Sequence, residues 1–358
     1  MRRLLLAAAL GVAACTPPPP CPVVAYAAGT RHSVVVAVAE SLLARRPAAA
    51  RPRACLRLAA QASYDQVDQP DAEVSLAESL VADPQVVAVV GHMRSRGSLA
   101  AAPVYARAGV PQLVPASTSA LLRAIGPWTF VLSPGEEDQA AFLAATLETM
   151  RLRRVLVFFS GEAYGEGLVA ALRPRLAARH IAEAAAIRVG PGADVATLAE
   201  AAFRGRRFDG VVLLTDYMQA AGLAKVAVAR RPGIPLVAGD GAMYPAGLRQ
   251  LGGTAAESLQ VVSLWTPDTA DAGVRDYLRW FRRIAGRAPT PSEAFGHDAL
   301  LYALAAIEAA GPARSAIRQW LAGDGGARPV PGQVTDRRLH GGGPPRMALV
   351  RIGPAATP

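Results

Sequence analysis

Cysteine, histidine and charge are all scarce in this chain. Its 358 residues include three cysteines and five histidines, and only 18% are Asp, Glu, Lys or Arg. The histidines His32, His92, His180, His297 and His340 stand singly, without the H-E-x-x-H spacing that sets two metal ligands on one helical face. No G-K-[S/T] ending follows a glycine-rich loop, which excludes a Walker phosphate cradle. Met93 stands two residues before Ser95, where a G-x-S-x-G nucleophile elbow requires glycine. Glu136 and Glu137 open a helical segment, the place where carboxylates offset the helix dipole. No catalytic set assembles from these residues, and neither a metal nor a cofactor is expected.

Long apolar runs are also missing. "LLLAAALGVAA" (Leu4 to Ala14) is too short to span a bilayer; with Arg2 and Arg3 before it and small residues leading to Cys15, it reads as an export signal. "VAAC" resembles the bacterial lipobox, which implies removal of the segment before Cys15 and a lipid on that cysteine; an ordinary cleaved signal is the alternative. We take residues 1–15 as the signal ending at the lipidated cysteine and 16–22, with "TPPPP", as a stiff spacer. The expected location is periplasmic or cell-surface, tethered to a membrane by the lipid anchor.

A basic excess of +10, falling to +8 when Arg2 and Arg3 are removed, raises the question of nucleic acid. The arginines are scattered singly or in pairs ("LLARR", "VARRPG", "WFRR") with no aromatic-interleaved groove, so no nucleic-acid partner is expected. Cys21 and Cys55 each precede an apolar strand-like run. If those strands are parallel neighbours, an oxidising compartment allows a disulfide between them; two buried thiols are the alternative.

What is present is alternation. Short β-rich runs (Val23 to Ala27, Leu56 to Ala62, Val86 to Val90, Gln112 to Val114) are separated by helical segments, and a second series follows from Glu136 to Ala238. Helical periodicity returns after Trp265, and one last strand, "RMALVRI", closes the chain. The expected fold class is α/β: two doubly wound lobes joined by a multi-crossing hinge, lobe 1 from 23–134 plus 266–328 and lobe 2 from 135–265 plus 329–354.

In such sheets ligands collect beyond the carboxyl ends of the strands. "VVGHMRSRGS" turns at Gly91 and places Ser95, Gly97 and Ser98 at a helix start, where unpaired N–H groups favour an anion. "PASTS" offers the Ala116 carbonyl and the Thr118 hydroxyl to the same cleft. Taken alone, Ser95 and Thr118 also suit helix caps, and Asp240 between two glycines suits a turn.

These stretches, with "YGEGLVAAL", "VAGDGAMYPAGLRQLGG" and "FGHDALLYALAAIEAAG", resemble the bacterial type I periplasmic binding proteins for branched-chain amino acids and amides. The resemblance implies two lobes closing on a small amino-acid or amide ligand, a monomer, and delivery to the permease of an ATP-binding-cassette transporter. It implies that Ser95, Ala116, Ser117 and Thr118 hold the ligand, that Asp240 takes its ammonium, that Tyr164 edges the cleft, and that Asp216 or Tyr217 supplies a contact. The chain departs from the pattern at the short "AGTRHS" loop (Ala28 to Ser33) and at His297, where tyrosine is usual. Arg31, Arg94 and Arg96 cluster near the expected cleft, where they would select a second negative group or point to water. A regulatory envelope lipoprotein on the same fold, without solute transport, is the alternative function.

Overall fold

A computed structural model describes residues 21–29, 32–47, 54–60, 70–340 and 345–353; the segment 1–15 expected to be an export signal ending at Cys15, and Arg31, lie outside the described residues. The strands are nearly continuous runs of Val, Leu and Ala, which suit a parallel sheet covered by helices on both faces. β1 (Val23–Ala28), β2 (Cys55–Ala60), β3 (Val86–Gly91), β4 (Gln112–Val114) and β5 (Thr129–Val131) form one sheet in the order β2-β1-β3-β4-β5, with every pairing parallel. β1 and β3 are buried along their whole length.

The second sheet holds β6 (Arg154–Ser160), β7 (Ala182–Val189), β8 (Gly210–Leu214), β9 (Leu236–Ala238), β10 (Leu259–Ser263) and β11 (Ala348–Arg351). Its order is β11-β10-β9-β8-β6-β7, parallel except for β11, which runs antiparallel to β10. The fold is thus two doubly wound α/β units. β5 and the helix Ala120–Ala124 were not read from the sequence.

Val23 pairs in register with Cys55, so the starts of β1 and β2 lie side by side. Cys21 and Cys55 are disulfide-bonded there, with Cα atoms 5.8 Å apart.

The chain passes between the sheets repeatedly. After β5, the helix Glu136–Thr149 packs beside Ala163–Ala178 on the second sheet. After β10 the chain returns to the first sheet, where Ala272–Ala285 and Pro291–Ala310 pack on the helix Ser33–Ala44. A last passage leads to β11. Buried Asp298 holds that passage, accepting the Val334 and Thr335 N–H groups at 2.8 Å each, while burial raises its carboxyl to about 7. Arg337 then donates to the Leu132 carbonyl at 3.4 Å, tying the last passage to the first. Among the described residues no helix is long and apolar enough to cross a membrane.

Candidate functional site

The order β2-β1-β3-β4-β5 recurs as β7-β6-β8-β9-β10. In each sheet the connections diverge to opposite faces beside the central strand, at β1/β3 and at β6/β8, and a crevice opens at the carboxyl ends. The two crevices form opposite walls of one cleft of ≈ 1200 Å³, counted to its open mouth.

The first wall begins at Gly91. Its φ is +142°, and a Cβ there would lie 2.3 Å from the Ala27 carbonyl oxygen, so only glycine lets β3 end against β1. Below it, buried His92 bonds Glu73 through Nδ1 and the Tyr105 hydroxyl through Nε2, the latter at 2.9 Å. Arg94 is extended, and the helix Ser95–Ala108 starts at the cleft. Ser98 Oγ donates to the His92 carbonyl at 2.9 Å and lies 2.8 Å from Ser117 Oγ, while Ser133 Oγ donates to the Ser117 carbonyl at 2.7 Å. These bonds fix the loops after β3 and β4 to each other and to the first passage between sheets. The Thr118 hydroxyl is left over: the residue is 1% exposed, and its Oγ1 has no hydrogen-bond partner among the described residues. Such an atom costs about 1–3 kcal/mol until a ligand acceptor meets it.

On the opposite wall the helix Ala163–Ala178 starts hard against β6: a Cβ on Gly165 would lie 2.2 Å from the Ser160 carbonyl oxygen. Tyr164 Oη accepts the Gly241 N–H at 3.0 Å and hydrogen-bonds the Asp240 carboxylate. Gln139 clasps Asp240 twice, donating from Nε2 to Oδ1 at 2.7 Å and accepting the Asp240 N–H at 3.0 Å. Asp240 opens a 3₁₀ turn, Asp240–Ala242. Loss of water raises its carboxyl to about 6, against the lowering pull of the Gln139 and Tyr164 bonds. Nearby Glu136 is buried and raised to about 7, first by desolvation and further by the charges of Asp240 and Glu137. Arg123 offsets part of the Glu136 shift, whereas among the described residues Asp240 has no cation paired with it.

Ser95, Ala116, Ser117 and Thr118 from the first unit and Tyr164, Asp216, Tyr217 and Asp240 from the second all line this cleft. Asp216 has a further role: its Oδ1 caps the helix Tyr217–Arg230, accepting the Met218 and Gln219 N–H groups at 2.8 and 2.9 Å. Tyr217 stands edge-on to Tyr244, centroids 5.0 Å apart. Tyr244, Glu162 and Arg287 are lining residues the sequence reading did not name. Tyr244 was within reach, four positions after Asp240; Arg287 lies on a late helix-to-helix connection whose return to the cleft depends on the tertiary fold. Arg96 reaches across to Glu162 at 3.3 Å, and Arg287 forks onto Glu293 at 2.8 and 2.6 Å. His297 is not among the lining residues; it is buried beside the Tyr277 ring, and burial lowers it to about 4. Among the described residues no group of His, Cys, Asp and Glu forms a metal site.

A two-unit α/β fold with a cleft between its switch points defines a binding protein. The chain matches the periplasmic binding protein family over residues 61–356 and belongs to that family. A leucine binding protein from Thermotoga maritima superposes with a TM-score of 0.73 at 22% identity, over 83% of this chain and 86% of that one. A substrate-binding periplasmic protein from Ralstonia solanacearum gives 0.76 at 16% identity, over 92% and 97%. An amino acid binding protein of Pseudomonas aeruginosa is 30% identical over 114 residues, 31% of this chain and 30% of that protein's length.

Proposed function

We propose that the protein is an exported, lipid-anchored solute receptor that captures a small amino acid between its two lobes and passes it to an ATP-binding-cassette permease. The lobes are 23–134 plus 266–328 and 135–265 plus 329–354, and they close about the passages that join the sheets. The observation that carries this reading is the complementary pair of unmet groups on opposite walls. A helix start with the unpartnered Thr118 hydroxyl suits an α-carboxylate, while the clasped, cation-less Asp240 suits an α-ammonium. Burying both ligand charges is tolerable only when each is paired, so closure depends on occupancy. Ala116 and Ser117 complete the carboxylate side, Tyr164 holds Asp240 in aim, and Tyr217 with Tyr244 forms an apolar wall. The leucine binding protein and the amino acid binding protein among its relatives point to the same ligand class.

Thermal unfolding with a panel of amino acids, amides and small carboxylates tests the reading. At one hundred times its dissociation constant a true ligand stabilises the fold by about 2.7 kcal/mol. A panel without a single shift would favour the regulatory scaffold.

A further inference from the structure

Among the described residues, one arginine along the cleft has no carboxylate partner. Arg94, Arg96 and Arg287 face Glu162, Asp216, Asp240 and Glu293 along its lining. Arg96 is bonded to Glu162, Arg287 is forked onto Glu293, and Asp216 accepts two backbone N–H groups of its own helix. Asp240 is reserved for the ammonium in the reading above. Arg94 remains: it is half-buried, and its guanidinium has no hydrogen bond or ion pair among the described residues. It adjoins Ser95 and lies on the wall opposite Asp240.

A neutral amino acid would bring one negative and one positive group into this cleft. Its ammonium answers Asp240, and its carboxylate answers the helix start and Thr118. Closure would then enclose the Arg94 cation with nothing opposite it, which is unfavourable away from water. A second carboxylate on the ligand removes that penalty, and the planar fork of arginine is shaped to receive it with two parallel N–H bonds.

We propose that the cleft is selective for an α-amino acid with an acidic side chain, and that Arg94 is the residue that reads the side-chain carboxylate. This inference rests on the amino-acid reading given above. Among the described residues, every other arginine lining the cleft already has a carboxylate partner.

Isothermal titration of the ligand-stripped mature protein with L-glutamate, L-glutamine and L-leucine tests it, alongside Arg94→Gln and Arg94→Lys. Glutamate and glutamine have the same shape and differ by one charge. The expected result is glutamate bound at least about tenfold more tightly than glutamine, a ratio that collapses toward one in Arg94→Gln and is partly kept in Arg94→Lys, in line with a charged hydrogen bond. Neutral amino acids binding as tightly as glutamate would overturn the selectivity while leaving the receptor reading intact. A glutamate preference unchanged in a folded Arg94→Gln would overturn the role of Arg94. No heat with any of the three would overturn the amino-acid reading and this inference with it. The ligand-free melting temperatures of the variants show that each is folded.

Discussion

At the scale of single residues, Asp240 and Glu136 are carboxyls displaced in the same direction, to about 6 and about 7. Both folded values lie above those of the unfolded chain, so without ligand the folded state binds more protons across the interval. The contribution of these two groups to stability is therefore largest below the ordinary carboxyl range and is lost as pH rises from about 4 to about 7. Glu136→Gln should flatten that fall, measured by urea denaturation at several pH values; an unchanged slope would place its origin elsewhere. Ligand affinity runs the other way, because the ammonium needs Asp240 ionised: binding weakens as pH drops through about 6. Asp240→Asn and Thr118→Val should each weaken a confirmed ligand by about 10- to 100-fold, the worth of a hydrogen bond to a charged group. Without ligand, Thr118→Val should melt no lower than the parent and Asp240→Asn close to it, and calorimetry showing full affinity in both would end the residue assignment.

At the scale of elements, two junctions hold the units together, one within each. The disulfide closes a sequence separation of 34 residues. On the chain-entropy estimate its loss costs about 3 to 4 kcal/mol, so Cys21→Ser with Cys55→Ser should melt well below the parent in non-reducing buffer. Gly165→Ala forces a methyl into the Ser160 backbone, and circular dichroism should show a strongly destabilised or unfolded protein. A parent-like melting curve would mean that the helix start yields. The strands were legible because parallel, doubly covered strands are written as apolar runs, and the loops after β3 and β4 because glycine and small hydroxyl residues interrupt such runs abruptly. The dual role of Asp216 was not legible, since the same residue type serves as a helix cap and as a cleft carboxylate, and only geometry shows that Oδ1 faces its own helix. Arg287 and Glu162 were missed for a related reason: side chains that converge only through tertiary packing leave no local period or motif. The pairing of Arg96 with Glu162, separated by 66 positions, is of that kind.

At the scale of the whole molecule, the passages between the sheets form a hinge whose strands are cross-tied by Asp298, Arg337 and Ser133. The Arg96–Glu162 pair already spans the two walls at 3.3 Å and would tighten as they approach. In the proposed function the walls close because each holds one end of the same zwitterion. Small-angle scattering tests it most directly: the radius of gyration of the mature protein should contract when a calorimetrically confirmed amino acid saturates it, and in Asp240→Asn the contraction should be lost or should require far more ligand. A wild-type protein that binds the amino acid fully with no change in its scattering profile would contradict the account.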